Sequence, residues 1–158
     1  MFSVGDRIVH PMHGAGVIDN IVEKKINGIS RNYYILKLPV NGMLVMIPTA
    51  NSEAIGVRPV MDKASAERIL SSIDTIKVEI TSNWNQRYRE NMMRLKSGNL
   101  LEVARVVKCL MVRDNQKSLS NGERKMLHAA KQILISELVL SKCASYEEVE
   151  ARINAALG

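Results

Sequence analysis

Few residues in this chain of 158 have side chains that commonly carry chemistry. It contains three histidines, two cysteines and one tryptophan. His10 and His13 precede the segment Gly14-Ala15-Gly16, which could suggest a phosphate-binding loop, but no Lys-Ser or Lys-Thr pair follows the glycines. Glycines between two strands more often form a turn, and two nearby histidines are too few ligands for a zinc site. We therefore expect a turn at this position.

The cysteines and the rest of the sequence offer no catalytic arrangement. Cys109 and Cys143 lie on apolar faces of predicted helices, where a buried, unreactive thiol is the common state. They form no disulfide framework, which favours the reducing cytoplasm. No segment reaches the roughly 18 apolar residues of a membrane span, and residues 2–6 do not resemble a signal peptide. We expect a protein that is not an enzyme and that needs no metal, cofactor or small-molecule ligand.

The tryptophan lies at one end of the most basic segment. Residues 84–131 hold eleven basic and four acidic residues, a net charge of +7, whereas the whole chain has +6. Helical spacing places Trp84, Arg87 and Tyr88 on one side of a helix, with Arg89 and Met92 further round. An exposed aromatic beside cations can insert at a base step in the minor groove while the cations hold phosphates. The alternative is a tryptophan buried between two domains beside a solvated basic surface.

The first sixty residues have the two-residue period of strands. We predict strands at residues 7–10, 16–26, 32–38 and 43–47, which form a small barrel or strongly bent sheet. Asn27-Gly28 and Asn41-Gly42 both predict two-residue hairpin turns. Tyr33 and Tyr34 must point to opposite faces, which argues against an aromatic cage for a methylated lysine. Open strand edges and apolar side chains suit strand addition to a protein partner better.

The spacing of apolar residues becomes helical after Pro59. We predict four or five helices, including residues 64–73 and 84–96 and helices that begin after Asn99, Ser120 and Ser145. Ser120 with Glu123, and Ser145 with Glu148, match the capping box, in which each side chain binds a free backbone N–H group. The sequence therefore predicts an α+β protein with two domains, at residues 1–60 and 61–158.

Short motifs along most of the chain match one known family in order and spacing. They include Phe2-Ser3-Val4-Gly5-Asp6, Ile8-Val9-His10-Pro11, His13-Gly14-Ala15-Gly16, Asn83-Trp84, Arg87-Tyr88, Leu119-Ser120 and Glu123-Arg124. In this pattern the chain resembles the bacterial CarD/CdnL family of RNA polymerase-binding transcription regulators. The resemblance implies a Tudor-like (SH3-like) small β-barrel that binds the polymerase β subunit, followed by an all-α helical bundle that binds promoter DNA.

The resemblance also implies a mechanism. In the family, a tryptophan wedges into the minor groove at the upstream edge of the melted bubble and disfavours its closing, through contacts that are not sequence-specific. We expect a cytoplasmic regulator, associated with the nucleoid through the polymerase. The alternative is an adaptor of RNA polymerase without direct DNA contact. A further alternative is a sequence-specific repressor, since the helices after Gly98 and Gly122 could imitate a recognition motif. This alternative is weaker, because the turn between the two helices is not diagnostic.

Individual residues follow from the same resemblance. The wedge is Trp84, and the DNA-binding surface around it comprises Arg87, Arg89, Met92, Arg124 and Lys125. The polymerase-binding surface comprises Lys24, Ile26, Met46 and Pro48. Two positions depart from the family pattern. Met46 stands where some members have an arginine, and Gln86 stands where many have a basic residue, so we expect a weaker contact at each.

Overall fold

The protein folds into an antiparallel sheet followed by packed helices. The computed structural model describes residues 1–39, 41–141 and 144–157, with side chains through residue 155. The strands are β1 (Arg7–His10), β2 (Gly14–Ile26), β3 (Ile29–Lys37), β4 (Leu44–Pro48) and β5 (Arg58–Pro59), and a one-turn helix α1 (Ser52–Ile55) precedes β5. Their order in the sheet is β4-β3-β2-β1-β5. The helices that follow confirm the predicted two-domain α+β class.

The two predicted hairpin turns differ. Asn27 and Gly28 both have positive φ, 53° and 79°, as a type I′ turn requires, so this prediction is confirmed. The second connection is wider. Leu38 donates its backbone N–H to Met43 O (2.9 Å), and Gly42 donates to Leu38 O (2.8 Å). The prediction of a two-residue turn at Asn41-Gly42 is therefore wrong, because the chain closes a longer loop between Leu38 and Met43.

One face of the sheet carries the core of the first domain. Its buried residues are Ile8, Ile18, Tyr34, Leu36, Leu38, Ile47 and Val57. Phe2 packs edge-on against the ring of Tyr34, with ring centroids 5.8 Å apart. Tyr33, the neighbour of Tyr34 in β3, lies on the opposite face and is half-buried. The predicted separation of the two tyrosines is confirmed, as the alternation of side chains along a strand requires.

In the described part of the chain, five further helices form the second domain. They are α2 (Lys63–Ser72), α3 (Trp84–Lys96), α4 (Leu100–Gln116), α5 (Asn121–Leu140) and α6 (Tyr146–Leu157), and a 3₁₀ turn (Ile73–Thr75) extends α2. Their apolar faces meet in one core that includes Leu95, Val106, Leu110, Ala130, Leu138 and Val149. The predicted bounds of α3 are confirmed, and those predicted for α2 are one residue too late at each end.

The helix caps explain where several helices begin. Asn83 Oδ1 accepts from Gln86 N (3.0 Å), and Asn99 Oδ1 accepts from Leu101 N (3.0 Å). Ser120 Oγ accepts from Glu123 N at 3.2 Å, as a capping serine does. The predicted capping box is only half formed, because both carboxylate oxygens of Glu123 bind Arg87 instead of the backbone.

The two domains meet where the start of β2 touches α5. Ala15 donates its backbone N–H to Ser136 Oγ (2.9 Å) in a buried contact. A Cβ atom at Gly14 would lie 2.6 Å from Ser136 Oγ and 3.2 Å from Ile133 Cα, and Gly14 has φ of +96°. The prediction of a turn at Gly14-Ala15-Gly16 is wrong, because the turn falls at residues 11–13 and the glycine-rich segment begins β2. Gly14 instead permits the close approach of two backbones.

A buried ion pair also joins the domains. Arg58 donates from Nη1 and Nη2 to the two carboxylate oxygens of Glu137, at 2.7 and 2.6 Å. Glu137 is 0% exposed, and its Oε2 also accepts from Met61 N at 3.0 Å. Arg58 Nε donates to Gly98 O at 2.9 Å. One arginine from β5 thus connects the sheet to α5 and to the segment between α3 and α4.

Candidate functional site

Trp84 is the first residue of α3 and is 41% exposed. Its indole ring stacks on Tyr88, with centroids 5.0 Å apart and an interplanar angle of 18°. Its Nε1 donates to Ser120 Oγ at 2.9 Å. The contacts of the indole are therefore within the helical domain, between the starts of α3 and α5. The alternative of a tryptophan buried between the two domains is wrong.

Arg87 does not lie on the exposed surface that the sequence predicts for it. It is 3% exposed, and its Nε and Nη2 donate to Glu123 Oε2 and Oε1 at 2.8 and 3.0 Å. Its Nη1 donates to the carbonyl oxygens of Thr81 and Ser82. The hydrogen bonds that Arg87 donates to Glu123 raise the pKa of Arg87 above its usual value. The guanidinium is thus committed to internal partners, which corrects its expected place among the phosphate contacts.

The other predicted DNA-binding residues are dispersed around Trp84. Arg89 is exposed on α3, but five residues after Trp84 place it about 140° round the helix. Met92 is half-buried and packs against the helical core. Arg124 and Lys125 are exposed in the first turns of α5, which Ser120 caps, and Arg124 Nε donates to Leu119 O at 3.2 Å. The structure therefore turns the indole towards the start of α5 and away from Arg89.

Two residues beside Trp84 have roles that the sequence analysis did not assign. The i, i+4 spacing placed Tyr88 on the same side of α3 as Trp84, and this spacing is the signal for the stacked pair. Ser120 was recognised as a helix cap. No pattern in the sequence indicates that its hydroxyl also accepts from an indole 36 residues away.

The predicted polymerase-binding residues lie on one face of the sheet. In the register, Lys24 is opposite Arg31 and Ile26 is opposite Ile29, whereas Met46 is opposite Ile35 and Pro48 is opposite Tyr33. Directly paired residues project to the same side of a sheet, and alternate residues of β3 share that side. All four predicted residues therefore lie on the face opposite the core, which we call the outer face.

The outer face also contains residues that the sequence analysis missed. Ile29, Arg31, Tyr33 and Ile35 run down β3 between the predicted residues of β2 and β4. Ile26, Ile29 and Met46 are exposed apolar side chains. Among the residues that the structure describes, β4 lies at the edge of the sheet, and one side of its backbone has no neighbouring strand. An apolar face beside such an edge is suited to binding an extended protein segment.

Two histidines, His10 and His13, lie close together at the end of β1. The rings of His10 and His13 lie 4.6 Å apart, and burial together with the charge of His13 lowers the pKa of His10 to about 4. His10 Nδ1 accepts from Met12 N at 3.1 Å, as a neutral imidazole can. Burial raises the pKa of the Cys109 thiol, in agreement with an unreactive side chain. Cys143 lies outside the described residues.

Two features are absent from the residues that the structure describes. Among these, no group of three or more histidine, cysteine, aspartate or glutamate side chains could hold a metal ion. Within the same ranges, no helix is long and apolar enough to cross a membrane.

Comparisons with known proteins agree with this architecture. A family model described as the CarD-like/TRCF RID domain matches residues 2–61, and one described as CarD, C-terminal domain, matches residues 68–154. The chain is 36% identical over 151 residues to YdeB of Bacillus subtilis (strain 168), which is named as a candidate transcription factor. That alignment covers 96% of this chain and 99% of YdeB. The two domain matches and this full-length similarity show that the chain belongs to the CarD/CdnL family of transcription factors.

Proposed function

We propose that this protein binds the β subunit of RNA polymerase through its outer face and stabilises the open promoter complex through its helical domain. Membership of the CarD/CdnL family supports a role in polymerase-associated transcription regulation. The observation that carries the DNA-binding part is the exposed, oriented indole of Trp84 at the edge of the +7 segment. Such a protein acts without catalysis, on the nucleoid in the cytoplasm.

The exposed indole supports a wedge at the upstream edge of the bubble. An apolar ring that enters the minor groove partly unstacks a base step, which opposes closing of the duplex. Arg124 and Lys125, exposed in the first turns of α5, are the cations that we assign to flanking phosphates, and Arg89 extends this surface along α3. Arg87 is assigned a different role: it holds the start of α3 through Glu123 and two backbone carbonyls.

Delivery by the polymerase explains why the DNA contacts need not be strong. Non-specific phosphate binding typically has dissociation constants of about 10⁻⁴–10⁻⁶ M at physiological salt. Attachment of the sheet to the polymerase raises the local concentration of the helical domain at the promoter, so that no base readout is needed. The two domains share buried contacts, including the Arg58–Glu137 pair, which hold the wedge at one distance from the outer face.

Trp84→Ala is expected to shorten the lifetime of the open complex about 5- to 150-fold, since stacking of an aromatic on a base contributes about 1–3 kcal/mol. The measurement is the decay of heparin-resistant complexes on a promoter that responds to the wild-type protein. Binding to the polymerase β lobe is expected to stay unchanged, because the ring contact and the hydrogen bond of Trp84 are both with residues of the helical domain.

Met93→Ala is the matched control for this experiment. Met93 is 74% exposed on the same helix, nine residues after Trp84 and so on the opposite side of α3. The open complex formed with this variant is expected to have the same lifetime as the complex formed with the wild type. If Trp84→Ala also leaves the lifetime unchanged, the wedge is refuted and an adaptor of RNA polymerase without DNA contact becomes the better explanation.

Lys24→Glu is expected to weaken binding to the isolated polymerase β lobe about 5- to 30-fold, because reversing a charge in a complementary interface costs about 1–2 kcal/mol or more. Lys25→Glu is the matched control. This substitution makes the same change in charge one residue further along β2, and the side chain of Lys25 points to the other side of the sheet. Calorimetric titration of the lobe distinguishes the two variants, and equal affinities would refute the assignment of the outer face.

A further inference from the structure

The hydroxyl of Ser120 accepts two hydrogen bonds at the start of α5. It caps the helix by accepting from Glu123 N (3.2 Å), and it accepts from Trp84 Nε1 (2.9 Å). A hydroxyl oxygen has two acceptor lone pairs, so both bonds are compatible. Because the cap places the Ser120 oxygen relative to the α5 backbone, the second bond places the indole relative to α5 as well.

Two further contacts restrict the same indole. Tyr88 stacks on one face of the ring at a centroid distance of 5.0 Å. Gly122 lies beside both rings, since a Cβ atom there would be 3.6 Å from Trp84 Cζ2 and from Tyr88 Cε2. The N–H edge, one face and the benzene edge of the indole therefore each meet a different residue. Trp84 is nevertheless 41% exposed, so part of the indole stays open to a ligand.

The buried ion pair of Arg87 and Glu123 is connected to this arrangement through Ser120. Glu123, whose N–H group binds the Ser120 hydroxyl, also holds the guanidinium of Arg87 through both carboxylate oxygens. Arg87 lies one turn after Trp84 on α3. The starts of the two helices are thus connected twice, once through the buried pair and once through the Trp84–Ser120 hydrogen bond.

We infer that Ser120 is a positioning residue, whose hydroxyl holds Trp84 in the orientation from which it enters DNA. This inference rests on the proposed wedge function of Trp84. A side chain that is already ordered loses less conformational freedom on binding than one that moves among rotamers. Removing the hydroxyl is therefore expected to shorten the lifetime of the open complex about two- to tenfold, the effect of ordering one mobile side chain.

The test uses the full chain with Ser120→Ala and Ser120→Gly. Glycine is tolerated at a helix N-cap nearly as well as serine, so the second variant removes the hydroxyl with little effect on α5. The chain has a single tryptophan, so time-resolved fluorescence anisotropy reports on this site alone. Both variants are expected to gain a fast local component on the nanosecond scale. Both are also expected to shorten the open-complex lifetime, with affinity for the polymerase β lobe unchanged.

Two controls separate positioning from loss of a helix cap. Ser120→Thr retains a hydroxyl and is expected to restore the rigid anisotropy decay and the wild-type lifetime. Ser145→Ala removes the N-cap of α6, where Ser145 Oγ accepts from Glu148 N at 3.2 Å, at the start of a different helix from those of Trp84 and Ser120. Its lifetime is expected to match that of the wild type. If Ser120→Ala and Ser145→Ala shorten the lifetime equally, the effect is one of stability and the inference is overturned.

The outcomes for Trp84 and Ser120 distinguish this inference from the proposed function. Trp84→Ala could shorten the open-complex lifetime while the two Ser120 variants leave it unchanged or lengthen it. That result would overturn the positioning role alone. A longer lifetime would mean that the indole must leave Ser120 in order to enter DNA. If Trp84→Ala itself has no effect on the lifetime, the wedge and the positioning role are both overturned.

Discussion

Replacement of Arg87 by methionine is expected to lower the free energy of unfolding by about 3–5 kcal/mol, the usual effect of removing one member of a buried ion pair. The side chains of Arg87 and Glu123 are 4% and 2% exposed. The substitution leaves the carboxylate of Glu123 in the interior without its guanidinium partner, and it removes the donor that binds the carbonyl oxygens of Thr81 and Ser82. Urea denaturation followed by far-UV circular dichroism measures the loss.

Two further variants show whether the loss comes from the pair. Arg89→Met makes the same change at an exposed position of α3 and is expected to alter stability by less than about 0.5 kcal/mol. Arg87→Met combined with Glu123→Leu replaces the pair by apolar groups and is expected to recover much of the loss, because no buried charge remains unpaired. Equal stabilities of Arg87→Met and Arg89→Met would contradict the burial of this ion pair.

Glu137→Gln is expected to lower the free energy of unfolding by about 3 kcal/mol, at the lower end of the range for a broken buried pair. Glu137 is fully buried, but the side chain of Arg58 is 30% exposed, and the exposed part is screened by solvent. The substitution removes the charge that holds the sheet against α5, while one amide oxygen stays available to Arg58 or to Met61 N.

The more specific consequence concerns cooperativity. Trp84 fluorescence reports on the helical domain, whereas far-UV circular dichroism reports on the whole chain. The two urea transitions are expected to coincide in the wild type and to separate in Glu137→Gln, as happens when domains no longer unfold together. Glu102→Gln is the control, since Glu102 forms only looser, partly exposed pairs with Arg94 and Arg105 at 3.7 Å. A Glu137→Gln variant with coincident transitions and wild-type stability would refute the role of the interdomain pair.

Local signals in the sequence predict the helix and hairpin positions well. Asn83 caps α3 at its start, and Gly98, with φ of +75°, follows its end, so both bounds of this helix could be predicted. Asn27-Gly28 supports positive φ at two successive positions and therefore specifies a hairpin. The strand period also separates Tyr33 from Tyr34. The same dipeptide occurs at Asn41-Gly42, but there β3 ends at Lys37 and β4 begins only at Leu44. The connection is therefore longer than the two residues between β2 and β3.

Long-range pairing could not be predicted in the same way. Arg87 and Glu123 are 36 residues apart, and Arg58 and Glu137 are 79 apart. A charged side chain on a helix is usually solvated, so a sequence without tertiary information places Arg87 on the surface. The family resemblance identified Trp84 and the outer face of the sheet. It could not show that Tyr88 and Ser120 hold the indole or that the cations around it are dispersed.

The contact between Ala15 and Ser136 has a consequence for the synthesis of the protein. The two residues are 121 positions apart, so the start of β2 leaves the ribosome long before the helix against which it packs. At a translation rate of about 5–20 residues per second, the interval is roughly 6–24 seconds. During that time the Gly14 backbone that later lies against Ile133 is uncovered. We expect nascent chains to be most prone to aggregation in this interval, and docking of the two domains to be among the last events of folding.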